Sequence, residues 1–187
     1  YKRQGVRSLL QSIQAFVEAE GGTVVFSNDG KFTKKPDVVV SVFGEEPYAE
    51  GFGDLPDVAF RATDQGHLEA LEAVHASGIS IVSIFYSGRP LEVNKYLNLS
   101  DAFVVAWLPG SEIDGISEII FGNNNINNFD FTGRLTFSWP KSKTQASLNF
   151  DDQSYDPLFS FGYGLNYSAN SQVPIIPCLL YTSDAAD

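Results

Sequence analysis

Residues 37–54 constrain the fold of this chain more than any other stretch. They open with an apolar, β-branched run, 38–43, which is typical of a strand buried on both faces of a parallel sheet. A loop that carries four carboxylates, Glu45, Glu46, Glu50 and Asp54, follows it. Because ligands of open α/β sheets bind beyond the carboxyl ends of the strands, these carboxylates predict a functional site. Their spacing is also compatible with an acidic loop that only faces solvent.

Helical and strand-like patterns alternate along the rest of the chain. Apolar residues recur at helical spacing in residues 6–17, and Gly21 and Gly22 end that pattern. We expect further helices at 63–77 (capped by Thr63 or Asp64), 91–97 and 113–121, further strands at 23–26, 79–86 and 102–107, and a β-rich segment at 131–139. This alternation predicts one α/β domain, a three-layer α/β/α sandwich around a parallel sheet.

The composition argues against several function classes. A net charge of −11 disfavours nucleic acid or an anionic membrane as a partner. The longest apolar runs have the length of strands, which is too short for a segment that spans a bilayer. The single cysteine, Cys178, excludes an internal disulfide and a cysteine-based zinc site. His67 and His75 have no second ligand at metal spacing, so we interpret both as packing or surface residues.

Several side chains outside the acidic loop allow two interpretations. Arg89 follows a predicted strand and could bind a carboxylate with both arms of its guanidinium and so orient the acidic loop, or it could be exposed at a turn. Trp107 could stack on a sugar ring, but a Trp at the end of a buried strand favours a core role. The Asn-rich stretch 122–128 predicts a loop. The aromatic residues of 155–167 are interpreted as packing anchors.

Five sequence blocks carry a resemblance to a known family. GEEPYAEGFGD (44–54) resembles the signature loop of the second domain of glycoside hydrolase family 3, in the branch of β-glucosidases and exo-β-glucanases. SGRPLEVN (87–94), SDAFVVAWLPGSE (100–112), FTGRLTFSWPKS (131–142) and YDPLFSFGYGL (155–165) look like further family blocks in the family's order. The resemblance covers residues 5–168, which we take as the domain.

This resemblance implies a fold and a chemistry. The fold would be an (α/β)6-type sandwich with about six mostly parallel strands. Glu50 matches the catalytic acid/base of the family, and Glu46, Tyr48, Asp54 and Arg89 are weaker candidates for substrate binding. No metal or organic cofactor is implied. Ile113 departs from the family pattern, which has Gly there, so the local turn geometry can differ.

The family's nucleophile is an Asp in an S-D-W-like motif on a preceding (β/α)8 barrel domain. This chain has Ser100 and Asp101 followed by Ala102, and no S-D-W. We therefore expect a fragment of a retaining β-glucosidase or exo-1,3-1,4-β-glucanase, inactive alone, whose partners are the missing barrel and a β-glucan or β-glucoside. Secretion or a periplasmic location is what the resemblance implies.

The acid of a retaining pair must keep its proton near neutral pH. Glu45, Glu46 and Asp54 could favour this in Glu50 by like-charge repulsion, or each could be salt-bridged or exposed.

Two alternative functions remain for this sequence. One is a non-catalytic carbohydrate-binding or scaffold domain. The other is a nucleotide-binding α/β module, but Gly51-Phe52-Gly53 has Pro56 where a third Gly would fall, and no Walker motif occurs.

Both ends of the chain look foreign. Residues 1–4 and 178–187 resemble translated sequencing adapter, the alternative being native flexible tails. The chain contains no methionine, so we expect that it does not begin at its own start codon and that any signal peptide lies upstream.

Overall fold

The computed structural model describes residues 7–62, 64, 66–121, 129–169 and 171–177. Within these residues, helices and strands follow one another as α1 (Leu9–Ala19), β1 (Val38–Gly44), α2 (Gly66–Ala76), β2 (Ser80–Tyr86), α3 (Asn94–Asn98), β3 (Ala102–Val105) and α4 (Ile113–Phe121). The strands form one parallel sheet in the order β1-β2-β3, with Val40 beside Val82 and Ile84 beside Val104.

The central strand β2 forms the middle of the core. Ile81, Ile84 and Phe85 are fully buried, because the side chains of a central strand alternate between two covered faces. Each parallel connection needs a crossover, and α2 provides the one between β1 and β2.

Helices α1 and α4 cover one face of the sheet. Leu9 and Ile13 of α1 pack on Ile84, and Ile116 and Ile120 of α4 join the same apolar cluster. α1 begins at a capping box. The Ser8 hydroxyl accepts a hydrogen bond from Gln11 N, and the Gln11 side-chain oxygen accepts one from Ser8 N. The two helices are also linked by a hydrogen bond, which the buried Ser12 hydroxyl donates to Asp114 Oδ1 at 2.6 Å.

The opposite face carries α2, α3 and a cluster of aromatic rings. Leu71 and Val74 of α2 pack with Ile81 and Tyr96. Phe43, Phe60, Phe85, Tyr96 and Phe103 lie with neighbouring ring centroids 4.5–6.1 Å apart. The buried Trp139 extends this layer toward the C-terminal segment. Helices therefore lie on both faces, which confirms the predicted three-layer α/β/α sandwich with a parallel sheet.

The number of strands was overestimated. The described residues contain three strands rather than about six. Residues 23–26, predicted as a strand, form none, and Val25 and Phe26 are 78% and 64% exposed. Four β-favouring residues form a strand only where a neighbouring edge pairs with them, and β1 has no partner on that side in the described part of the chain.

Two further strand predictions also need correction. The strand predicted at 102–107 ends at Val105, because Trp107 adopts a left-handed backbone with φ of 51°. The β-rich segment predicted at 131–139 makes only an isolated bridge, Trp139 with Phe159, and a few backbone bonds such as Leu135 N to Tyr163 O at 2.8 Å.

The helix predictions fit the structure more closely. α4 spans the predicted residues 113–121, and α2 ends before Gly78, whose φ is 67°. The short helix predicted at 91–97 begins later, at Asn94, because Leu91 and Val93 are buried in the aromatic layer and Glu92 bridges to Ala59. Asp64 accepts a hydrogen bond from Gly66 N at 2.9 Å, whereas Thr63 lies outside the described residues.

Three other predictions fall outside the described part of the chain. These are the loop at 122–128 and the foreign ends at 1–4 and 178–187. Within the described residues, no helix combines the length and the apolar character that a bilayer crossing requires.

His67 lies inside the fold, in agreement with its interpretation as a packing residue. Its ring stacks on Tyr96 and contacts Phe43, and its Nε2 lies 3.0 Å from the Ser41 hydroxyl. Burial lowers the pKa of His67 below its ordinary value of 6.5, and the negative charge of Asp64 opposes part of this effect. The folded chain therefore favours the neutral imidazole.

This environment predicts a loss of stability in mild acid. The folded state binds the His67 proton less tightly than the unfolded state, so the stability present above pH 6.5 is lost as the pH falls through and below that value. Urea midpoints measured between about pH 7.5 and about pH 5.5 should fall, and His67→Gln should flatten the slope. His75→Gln, the same substitution at an exposed position, is the control, and His67→Gln should flatten the slope more than this control does. An unchanged slope in His67→Gln would contradict the account.

Candidate functional site

The acidic loop leaves the sheet at the carboxyl end of β1. Gly44 pairs with Tyr86 at the last position of the β1–β2 ladder, and Glu45 N donates to Tyr86 O at 2.8 Å. The loop after β1, residues 45–54, and the loop after β2, residues 87–90, therefore begin side by side. This is the edge at which parallel sheets place their ligand sites.

Arg89 binds Glu45 across these two loops. Arg89 Nε donates to Glu45 Oε1 at 3.0 Å and to Oε2 at 3.3 Å, and Nη2 donates to Oε1 as well. The side chains are only 28% and 13% exposed, so water screens this ion pair less than a surface pair. The bidentate contact considered for Arg89 is thus present, and its partner is a protein carboxylate.

The same guanidinium also holds the end of the loop. Arg89 Nη1 donates to Gly53 O at 2.7 Å, and the Tyr48 ring lies 4.3 Å below the guanidinium carbon, at cation–π distance. Gly53 has to be glycine for this packing, since a Cβ there would lie 2.7 Å from Tyr48 Cδ2. Tyr48 is half-buried and is therefore part of the loop's support.

Ser87 connects the end of β2 to the clamp, by which we mean Arg89 with its contacts to Glu45, Tyr48 and Gly53. It is 1% exposed, and its hydroxyl lies 3.0 Å from Glu45 Oε2 and 2.8 Å from Arg89 O, while Arg89 N donates to it at 3.1 Å. Sequence reasoning did not single out Ser87. A small hydroxyl residue directly after a buried strand was the available signal.

Glu50 lies at the tip of the loop and is exposed to solvent. Its φ is 56°, a left-handed conformation that costs a non-glycine residue about 1–2 kcal/mol. The next residue, Gly51, has φ of 97°, and Asp54 N donates to Gly51 O at 3.1 Å, which closes the turn. Strain of this kind at an exposed carboxylate is typical of functional turns.

The four carboxylates of the loop have different surroundings. Glu45 is paired with Arg89, whereas Glu46, Glu50 and Asp54 are exposed. Of the surroundings considered for these carboxylates, Glu45 therefore has a salt bridge.

Asp101, the nearest match to the nucleophile pattern, lies at the other end of the sheet. Its Oδ2 accepts a hydrogen bond from Ile81 N at 2.8 Å, at the start of β2. The five residue steps from Ile81 to Tyr86 span roughly 16 Å of strand, against the roughly 5 Å that separates the carboxyl groups of a retaining pair. Asp101 is therefore structural.

The aromatic candidates divide between packing and exposure. Trp107 packs 6.3 Å from Trp139 within the apolar layer, in agreement with a core role. Phe159 stacks on Tyr163 at 4.6 Å, and the Tyr167 hydroxyl donates to Ile119 O at 2.6 Å, as expected of anchors. Phe161 is 55% exposed, and its ring centroid lies 5.7 Å from that of Phe150.

Two clefts in the described part of the chain lie away from the acidic loop. One, of about 320 Å³, is lined by Pro90, Phe137 and residues of 145–149. The other, of about 360 Å³, lies between Phe159, Tyr163 and residues 171–177. No residue of 45–54 lines either cleft, and Glu50 is exposed to solvent.

Comparison with known proteins identifies relatives of this arrangement. The family model described as glycosyl hydrolase family 3 C-terminal domain matches residues 2–167. A periplasmic beta-glucosidase of Salmonella typhimurium is 28% identical over 158 residues, covering 72% of this chain and 20% of that protein. A beta-xylosidase of Formosa agariphila is 29% identical over 154 residues, again covering 72% and 20%.

A solved structure is more similar still. The exo-1,3/1,4-beta-glucanase of a Pseudoalteromonas species is 47% identical, with a TM-score of 0.87. The match covers 93% of this chain and 22% of that one. The chain thus spans about a fifth of the length of the relatives it matches.

Proposed function

This chain belongs to glycoside hydrolase family 3 by its C-terminal domain, and we propose that it is the second domain of a retaining enzyme that hydrolyses terminal β-linked glucose. Glu50 is the acid/base in this proposal. The observation that carries it is the position of Glu50: an exposed carboxylate, at the carboxyl end of β1, on a turn whose flanks are tied to Arg89.

The chemistry requires a second carboxylate on another part of the enzyme. In a retaining mechanism one carboxylate attacks the anomeric carbon, and the other protonates the leaving oxygen and then activates water. We assign the second task to Glu50 and the first to an Asp of a preceding barrel domain. Glu46, Tyr48 and Asp54 are proposed to contact the sugar near Glu50, because they share its loop.

The relatives support the choice of substrate class. Their names include beta-glucosidases, a beta-xylosidase and an exo-glucanase, and the exo-glucanase shares 47% of its matched residues with this chain. We therefore propose a β-glucan or β-glucoside substrate, and a secreted or periplasmic location, as in the Salmonella relative. Residues 5–168 form the proposed domain, with non-native ends at 1–4 and 178–187.

An exchange of domains tests this proposal. A chimera in which this chain replaces the matching segment of the Pseudoalteromonas enzyme should hydrolyse an aryl β-glucoside with retention of configuration. The 187-residue chain alone should give no turnover above the rate without protein, because we assign the nucleophile to a preceding barrel domain. Turnover by the isolated chain, or a folded chimera without activity, would contradict the proposal. The second result would favour a carbohydrate-binding or scaffold domain.

A further inference from the structure

One side chain contacts the acidic loop on both sides of Glu50. Arg89 binds Glu45 at the start of the loop, lies over Tyr48 before Glu50, and donates to Gly53 O after it. Only residues 49–52 lie between the contact with Tyr48 and the contact with Gly53. The guanidinium therefore fixes both ends of the four-residue segment that contains the proposed acid/base.

The segment between these contacts needs such anchoring. Glu50 has a φ of 56°, which an unrestrained glutamate visits rarely, and Gly51 beside it has access to a wide range of conformations. Fixing Tyr48 and Gly53 to one rigid group reduces the number of turns that residues 49–52 can form. The Glu50 carboxylate is thereby held in one direction.

The surroundings of Arg89 favour a rigid contact over a surface ion pair. The buried Ser87 hydroxyl contacts Glu45 and the Arg89 backbone, and Gly88 leaves room for Tyr48 to pack over the loop. A planar fork that binds a carboxylate with two nitrogens and a carbonyl with a third has geometric specificity that an ammonium group lacks. Lysine could keep the charge and would lose the simultaneous contacts.

From these contacts we propose that Arg89 is a positioning residue for Glu50: it sets where the acid/base carboxylate lies and does not itself touch the reacting atoms. This inference rests on the proposed function, because the contacts of Arg89 affect catalysis only if Glu50 transfers the proton. Proton transfer requires hydrogen-bond distance, and a misplacement of about 1 Å can cost about 10²-fold in rate.

The chain provides a matched control for the clamp. Arg61 Nη2 binds Asp57 Oδ1 at 2.7 Å, and the side chains are 50% and 22% exposed. This pair has the same chemistry as Arg89 with Glu45, but it lies outside residues 45–54. Arg61→Lys therefore repeats the Arg89→Lys change without affecting the acidic loop.

Kinetics in the chimera test the catalytic part of the proposal. Arg89→Lys should lower kcat/KM for an unactivated β-linked glucose disaccharide by about 10²-fold, and lower the glycosylation rate of dinitrophenyl β-glucoside by less than about 5-fold. Arg61→Lys should change neither by more than about 2-fold. Glu45→Gln keeps the shape of the side chain that Arg89 binds and removes its charge, and it should cause the same pattern of rate losses as Arg89→Lys. Equal losses on both substrates, or no loss, would overturn the proposal.

Hydrogen exchange in the 187-residue chain tests the structural part without catalysis. The amides of Asp54 and Leu55 donate within the turn and should exchange on the order of tenfold faster in Arg89→Lys than in Arg61→Lys. Equal exchange in the two variants would overturn the clamp. A third result separates the two proposals. If amide exchange is faster in Arg89→Lys, but Glu50→Gln lowers the rates on the disaccharide and on dinitrophenyl β-glucoside equally, the proposed function fails and Arg89 only orders the loop.

Discussion

Replacing Glu50 by Gln should slow hydrolysis of an unactivated β-linked glucose disaccharide by about 10²–10⁴-fold, the contribution of a positioned general acid or base. Glutamine keeps the size of the side chain and cannot donate the proton that the leaving oxygen needs. A dinitrophenolate leaves without a proton, so formation of the glycosyl-enzyme from dinitrophenyl β-glucoside should fall by less than about tenfold. The difference between the two substrates identifies the role of the residue.

The chimera with the Pseudoalteromonas enzyme is suited to this measurement. Pre-steady-state release of dinitrophenolate reports glycosylation, and steady-state hydrolysis of the disaccharide reports the step that needs the acid. Glu69→Gln, an exposed carboxylate on α2, is the control and should leave both rates within about 2-fold. Equal losses on both substrates in Glu50→Gln would move the acid to Glu46, the next exposed glutamate of the loop.

Replacing Phe85 by Ala should lower the free energy of unfolding by about 3–5 kcal/mol. Phe85 is fully buried on β2, and its ring centroid lies 5.1 Å from Phe60, 5.4 Å from Phe43 and 6.4 Å from Trp139. Removal of the ring leaves a cavity between two layers that cannot easily close, because the neighbouring aromatic side chains pack against each other. Urea unfolding of the 187-residue chain measures this loss.

An exposed phenylalanine provides the comparison for Phe85. Phe137 is 64% exposed, so Phe137→Ala should change the free energy of unfolding by no more than about 0.5 kcal/mol. A loss below about 1 kcal/mol in Phe85→Ala would contradict the assignment of the aromatic layer as the core.

The periodic elements of this fold could be predicted from the sequence. α4 spans the predicted residues 113–121, and β2 begins one residue after the predicted start at 79, because helical spacing and continuous apolar runs are local signals. Residues 23–26 were mispredicted as a strand, and the β-rich segment predicted at 131–139 forms only an isolated bridge and a few backbone bonds. Strand formation there depends on a pairing partner, and local composition carries no information about a partner distant in the chain.

The candidate site was predictable in its residues and less so in its contacts. The carboxylates of the loop and Arg89 were identified, but Glu45 and Arg89 are 44 positions apart, and spacing cannot show which carboxylate an arginine binds. The contact with Gly53 O involves a backbone carbonyl, which has no sequence signal. The left-handed conformations of Glu50 and Trp107 were equally hidden, since neither is a residue type that favours them.

Azide rescue of Glu50→Ala in the chimera tests the central claim most directly. If Glu50 is the acid/base, removal of its carboxylate leaves a glycosyl-enzyme that water attacks slowly, and a small anion can occupy the space of the missing side chain. Azide should then accelerate turnover of dinitrophenyl β-glucoside and yield β-glucosyl azide, with no acceleration in the unsubstituted chimera. If azide neither accelerates Glu50→Ala nor forms β-glucosyl azide, Glu50 is not the acid/base.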